Sequence, residues 1–431
     1  MQLYGNMAVN EEGHLEISGC DTVELAKEYG TPLYVVDEDY FRKRCKEFYN
    51  SFNASCDSEV IYAGKALLTL AICKIVDDEG LSLDVVSGGE LYTAMKAGFP
   101  MERVYFHGNN KSPEEIKMAV ENNVGTIIVD NVYELELLNA IVDKMQKRVN
   151  ILFRLTPGIE AHTHEYIKTG QIDSKFGLVI ENGQAMDAVL KAIDMKNIEP
   201  KGFHCHIGSQ IFELSSYEGA AAVMLDFTKE VYEKTGFMAE IINFGGGLGI
   251  YYADGDDPPA VKQYADVLIN AVNKTATELG IPVPKIMIEP GRAITGPSGI
   301  TLYTVGSIKE IPGIRKYVAV DGGMNDNLRP ALYGAKYLAC IANKMNEQRT
   351  EMVSIAGKCC ESGDMLIWDI SLPKAESGDV LAVFATGAYN YTMSMNYNRL
   401  PRPAMILVKD GKAKLILKRE TYDDIIRNDV M

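Results

Sequence analysis

The chain has 431 residues, 47% of them hydrophobic and 24% charged, an ordinary globular composition that excludes a disordered, collagen-like or small disulfide-stapled protein. Its 43 lysines and arginines stand against 59 aspartates and glutamates, a net charge of −16. Such a surface repels phosphate backbones, so nucleic acid is not an expected partner, although a small anion could still sit in a local cationic pocket.

At roughly 150 residues per domain the length predicts two or three domains. No run of 18 or more apolar residues occurs, so no membrane span is expected. The opening residues lack a basic segment followed by an apolar one, and no signal peptide is expected. The eight cysteines form no C-x-x-C pair and read as reduced thiols of a cytoplasmic protein.

A helical stretch near 39–52 leads into the first of eight short runs rich in Val and Ile. They are 60–63 (VIYA), 83–86, 104–107, 126–130, 151–155, 202–206, 241–244 and 286–289. Between them lie helical segments such as 90–99, 112–122, 132–145, 183–194 and 264–279. Strands alternating with helices imply parallel pairing through right-handed crossovers. Eight such units predict an α/β fold of the (β/α)8, TIM-like barrel type. Residues 253–261 are expected to form an exposed acidic loop. Beyond residue 300 the runs TLYTVGSIKEI, KYVAVDG, EMVSIAGK, MLIWDISL, DVLAVFAT, PAMILVKDG and KAKLILK read as strands with little helix between them. The run at 33–36 has no barrel slot left and is expected to join that later sheet. The expected domains are a barrel over 39–299 and a discontinuous all-β C-terminal domain built from 1–38 and 300–431.

Barrel enzymes carry their chemistry on the loops after the strands, and the unusual polar residues fall there. Lys65 follows strand one, Asp84 sits in strand two, and His107 follows strand three. Arg154 lies late in strand five, and His204 and His206 end strand six ahead of Gly208 and Ser209. Gly245, Gly246 and Gly247 follow strand seven, and Glu289, Pro290, Gly291 and Arg292 follow strand eight. Each alone could be a turn or a cap. Loops seven and eight of a barrel commonly cradle phosphate, because bare backbone N–H groups approach closely there. Lys65, among small and apolar neighbours in YAGKALL, reads as a partly desolvated amine able to attack a carbonyl. A lysine and a phosphate cradle in one barrel mouth suggest pyridoxal 5'-phosphate held as a Schiff base. Glu289 would then face the pyridine nitrogen. His204 and His206, with His162 and His164 as a second H-x-H pair, could instead ligate a metal, but no carboxylate or Cys pattern completes a shell. The expectation is therefore no metal, with one histidine stacking on the cofactor.

YAGKA, GFHCHIGSQ, NFGGGLGI, EPGR, CESGD and GAYNYTMSMNYN, in this order from about residue 30 to 405, resemble the barrel-type (fold type III) pyridoxal-phosphate decarboxylases. Within that group the likeness is to the diaminopimelate decarboxylases, whose architecture is alanine racemase-like. The resemblance implies decarboxylation of meso-2,6-diaminopimelate to L-lysine. It makes Lys65 the lysine that binds the cofactor, His206 the stacking histidine and Ser209 a phosphate contact. Gly246, Gly247, Glu289, Gly291 and Arg292 complete the cradle, with Glu289 on the ring nitrogen. Cys360 resembles the acid that reprotonates the substrate carbon, and Glu361 a contact to the substrate amine. Tyr389 matches a tyrosine reaching phosphate and substrate. Arg329 and Tyr333 match residues that bind the distal carboxylate, with Arg292 nearby. It also implies a homodimer in which Cys360 and Glu361 serve the partner's cofactor. One departure is Lys168, where relatives usually carry a small polar residue; it bears on substrate selection. Rival readings are a decarboxylase of ornithine, arginine or carboxynorspermidine, and an amino-acid racemase. The latter would place an arginine, not Glu289, at the ring nitrogen.

Overall fold

The computed structural model describes residues 3, 5–159 and 173–431. Lys168, His162 and His164 lie outside the described residues. The chain divides into two compact units. One comprises Cys45–Gly249 and Asp257–Ala293, the other Met1–Arg44, Ile250–Asp256 and Ile294–Met431.

The first unit is a closed parallel barrel. Its strands are Ser58–Ala63, Ser82–Val85, Val104–Phe106, Thr126–Val129, Val149–Thr156, Ile198–Cys205, Ile241–Asn243 and Lys285–Ile288. Each pairs in parallel with the next, and the eighth returns to the first. All eight runs read from the sequence are therefore barrel strands. The helices between them begin where the turn chemistry dictates. Thr69, Ser87, Ser112 and Asn131 accept backbone N–H groups at the N-caps of Leu70–Asp78, Gly88–Ala97, Pro113–Glu121 and Val132–Met145. Pro113 sits in the first turn after Ser112, with Glu115 closing a capping box. Gly98, Gly236 and Gly280 close their helices in the left-handed conformation. These short, capped connections put every strand's C-terminal end and its following loop at one mouth. Inside the barrel, Ile61, Tyr105, Ile128, Leu152 and Met287 pack as one buried layer, so the interior is filled rather than open.

At the strand starts Glu59 gathers its neighbours. Its Oε1 accepts from Ser82 Oγ at 2.6 Å and Tyr105 Oη at 2.8 Å, and its Oε2 accepts from Lys285 Nζ at 2.7 Å.

The second unit is built on a largely antiparallel sheet. Its order is Met365–Leu372, Glu351–Ala356, Arg315–Val320, Gly299–Ile311, Leu33–Asp37, Ala404–Lys409 and Lys412–Leu417. Leu33–Asp37 pairs antiparallel with Gly299–Ile311 and parallel with Ala404–Lys409, so the early strand does enter the late sheet. Its apolar residues join Ile300, Leu302, Phe384 and Ile406 in one core. Several features were not foreseen from the sequence, among them the helices Thr22–Tyr29 and Tyr422–Ile426 in a unit expected to be all-β. A three-stranded sheet also forms from Met7–Val9, Leu15–Ile17 and Cys20–Asp21, and a short helix spans Arg329–Tyr333. Residues 253–260 run as turns and coil and are mostly exposed or half-buried. All eight cysteines are free thiols. No helix among the described residues is long and apolar enough to cross a membrane.

Candidate active site

Barrel closure brings strand ends distant in sequence around Glu289. His107 Nε2 lies 2.8 Å from its Oε1, and His204 Nε2 lies 3.2 Å from its Oε2. Asn243 Nδ2 also donates to Oε1, at 2.8 Å. The two imidazoles meet edge to face with centroids 4.8 Å apart, and all four side chains are buried. Burial works to raise the pKa of Glu289, but the two imidazoles outweigh it and hold the carboxyl well below the usual range. Burial pushes His204 down to about 4, so at neutral pH it is an uncharged imidazole whose Nε2–H donates to an ionised Glu289. Beside this group Asp84 is buried with neither oxygen hydrogen-bonded among the described residues, and His204 Nδ1 likewise has no partner there. Burial, reinforced by the charge of Glu289 and opposed by His107, holds Asp84 above its ordinary value.

Lys65 occupies the single turn Gly64–Ala66 that follows strand one. That turn abuts the loop after strand eight, where Ala63 N donates to Pro290 O at 3.2 Å. A Cβ on Gly64 would come within 2.7 Å of Asp84 O, which excludes a side chain there, and one on Gly291 would crowd Ala63 and Ala66 at 3.0 Å. The charge of Lys65 reaches Asp84 and His206. His206 is half-buried, and its Nδ1 accepts from Gly246 N at 3.3 Å. Burial, then Lys65 and Arg154, hold it well below its ordinary value.

The cradle forms from loops six, seven and eight. Arg292 donates from Nε and Nη2 to Ser209 Oγ, at 3.2 and 3.0 Å. Gln210, next in line, takes a left-handed backbone with φ +60. Gly246 leaves no room for a side chain, since a Cβ there would lie 2.2 Å from Glu289 O. Gly247, at φ +126, would meet Gly208 O at 2.6 Å. The backbone therefore lies bare beside a guanidinium and a hydroxyl, as an incoming phosphate requires. With Lys65 as an amine at the mouth, His206 beside Gly246 and an ionised Glu289, these residues fit pyridoxal phosphate. Lys65, His206, Ser209, Gly246, Gly247, Glu289, Gly291 and Arg292 all belong to the barrel unit.

The remaining residues singled out in the sequence lie in the sheet unit. Arg329 and Tyr333 open and close the short helix after Leu328. Arg329 is buried, its Nη1 donating to Tyr337 Oη at 2.6 Å. Tyr389 has φ +63, a conformation rare for a bulky side chain. Cys360 and Glu361 are exposed, and Cys360 N donates to Asn398 Oδ1 at 2.7 Å. The adjacent Cys359 is buried, and burial pushes its thiol up to about 12.

Asn243 does not stand out in the sequence, and nothing there gives His107 a role. The only signals were a polar residue ending an apolar strand and a histidine in the loop position after strand three. Tyr252 and Tyr337, which flank Arg329, carried no signal at all.

The sequence pattern of the family described as "Pyridoxal-dependent decarboxylase, pyridoxal binding domain" matches residues 38–296. A diaminopimelate decarboxylase of Bacillus subtilis (strain 168) is 52% identical over 431 residues, covering 100% of this chain and 98% of that protein. One from Bacillus methanolicus is 53% identical over 421 residues, covering 97% and 98%. The crystal structure of diaminopimelate decarboxylase from M. jannaschii in complex with L-lysine superposes with a TM-score of 0.93 at 38% identity, covering 100% and 99%. A family pattern across most of the barrel and relatives matched from end to end at half identity lead to one conclusion: the chain belongs to the diaminopimelate decarboxylase family of pyridoxal-dependent decarboxylases.

Proposed function

We propose that the protein decarboxylates meso-2,6-diaminopimelate to L-lysine and carbon dioxide with pyridoxal 5'-phosphate, as the last step of lysine biosynthesis. The observation that carries this reading is the ionised Glu289, held by His107, His204 and Asn243 at the mouth that also presents Lys65. Pyridoxal phosphate, when bound, supplies a protonated ring that takes up the electrons left on the substrate α-carbon as carbon dioxide departs. Glu289 keeps a proton on the ring nitrogen; a neutral side chain there could not. Lys65 anchors the cofactor by its amine, and His206 packs on the ring. Ser209, Gly246, Gly247, Gly291, Arg292 and Tyr389 hold the phosphate. Arg329, Tyr333 and Arg292 hold the distal end of the substrate, and Tyr389 and Glu361 contact it. Cys360 delivers a proton to the α-carbon. Its exposure suits a thiol that meets substrate, whereas Cys359 beside it is sealed in.

In this reading residues 39–299 form the cofactor-binding barrel, and 1–38 with 300–431 form the β domain. The protein works in the cytoplasm as a homodimer in which the exposed Cys360 and Glu361 complete the partner's site. Carbon dioxide release is the test of the reaction. The purified enzyme is expected to act on meso-diaminopimelate and yield L-lysine, with far lower rates on ornithine, arginine and carboxynorspermidine. A faster reaction with any of those three overturns the assignment. The dimer is tested by refolding Lys65→Ala and Cys360→Ala proteins together. Each parent is expected to be nearly inactive, and random pairing restores roughly a quarter of wild-type activity, because one site of each mixed dimer carries neither change. No recovery with verified subunit exchange would place the whole site within one chain.

A further inference from the structure

Arg329 is 7% exposed, yet among the described residues no carboxylate lies within ion-pair distance of it. Its side chain makes one hydrogen bond there, from Nη1 to Tyr337 Oη at 2.6 Å. The guanidinium carbon stands 5.0 Å from the ring centroid of Tyr252 and 5.6 Å from that of Tyr337. Those two rings are themselves buried and pack at 81°, with centroids 5.3 Å apart. Two walls at near right angles and one hydroxyl fix both the plane of the guanidinium and its rotation. The aromatic faces favour the cation, but they do not neutralise it, and a buried charge without a counter-ion is costly. A guanidinium has five N–H donors. Tyr337 occupies one, and a planar carboxylate is the anion that two parallel N–H groups match.

We propose that Tyr252 and Tyr337 are positioning residues that determine specificity: they hold Arg329 so that its remaining N–H groups receive the carboxylate at the far end of the substrate. The inference rests on the reading of Arg329 given above. The substrate class it selects is amino acids that keep a carboxylate after the reaction. Diamines and compounds ending in an ammonium are rejected, because a fixed guanidinium repels a second cation.

The test uses holoenzyme and two ligands, L-lysine and pentane-1,5-diamine, which share both amines and differ by the carboxylate. Binding is measured by calorimetry for wild type, Tyr337→Phe and Tyr252→Leu, alongside kcat and KM for meso-diaminopimelate and the melting temperature. Tyr337→Phe is expected to weaken lysine binding and raise KM by about tenfold, the effect of one hydrogen bond to a charged group. The kcat and the diamine affinity should stay unchanged. Tyr252→Leu is expected to move the same two quantities in the same direction. Lysine affinity unchanged in both variants, or lost equally for lysine and the diamine, overturns the cage as a specificity device. A wild-type protein that binds lysine no more tightly than the diamine instead refutes the role of Arg329 itself, and with it this inference.

Discussion

Each end of the barrel carries a glutamate ringed by donors, and the two are satisfied differently. At the strand starts Glu59 is matched by a fixed cation, Lys285, with Ser82 and Tyr105 on its other oxygen. Burial works to raise its pKa, but these partners outweigh it and leave the carboxyl below its ordinary value. At the strand ends Glu289 faces two imidazoles and an amide instead. Next to it Asp84 and His204 Nδ1 have no hydrogen-bond partner among the described residues. Both ends hold a charge in the fold, but one closes its polar groups on themselves and the other leaves groups to be met by something that arrives. The first end suits stability, and the second, in the function proposed above, suits chemistry.

Glu289→Gln should break that comparison most severely. The amide keeps the shape but cannot hold a ring proton, and kcat is expected to fall about 10²- to 10³-fold. Cofactor is expected to remain bound and the melting temperature to stay near wild type, as steady-state kinetics and thermal melts would check. A smaller effect is expected for His107→Leu, which removes the nearest imidazole and lets burial raise the carboxyl. Cofactor affinity, measured by titrating apo-protein, should weaken and kcat should drop about tenfold, equivalent to about one pKa unit.

The smallest functional effect should come from the other end. Glu59→Gln leaves Lys285 without its anion and should cost about 1–3 kcal/mol of stability at neutral pH, with kcat unchanged. Because the folded-state pKa of Glu59 is depressed, its contribution is present above the ordinary carboxylate value. It is lost as pH falls through the lower folded value. The stability gap between variant and wild type, read from denaturant melts, should therefore close on the acid side. A gap that widens there would contradict the pairing with Lys285.

Much of this was legible in the sequence, and the failures have physical causes. The barrel strands are short Val- and Ile-rich runs bounded by cap residues such as Ser87 and Ser112, so their count and order could be read. The cradle glycines were legible from their place in the loops after strands seven and eight; at Gly246 a Cβ would strike Glu289 O, and at Gly291 it would be crowded. The partners of Glu289 were not, because only closure between strands eight and one brings His107 around to it. The strands at Met7–Val9 and Cys20–Asp21 are two or three residues long, too short to show a period of two. Tyr252 and Tyr337 escaped because an aromatic in an apolar stretch reads as core until the guanidinium between them is seen. The roles of Cys360, Glu361 and Tyr389 came from the family resemblance, since nothing in their spacing points to a proton or a phosphate.

Binding of pyridoxal phosphate through Lys65, at the barrel mouth that also holds an ionised Glu289, is open to one direct measurement. Borohydride reduction of the holoenzyme followed by peptide mass mapping tests it directly. The phosphopyridoxyl group is expected on the peptide that contains Lys65, with no labelled lysine in Lys65→Ala protein. The label on another lysine, such as the buried Lys111 that pairs with Glu134, would contradict it.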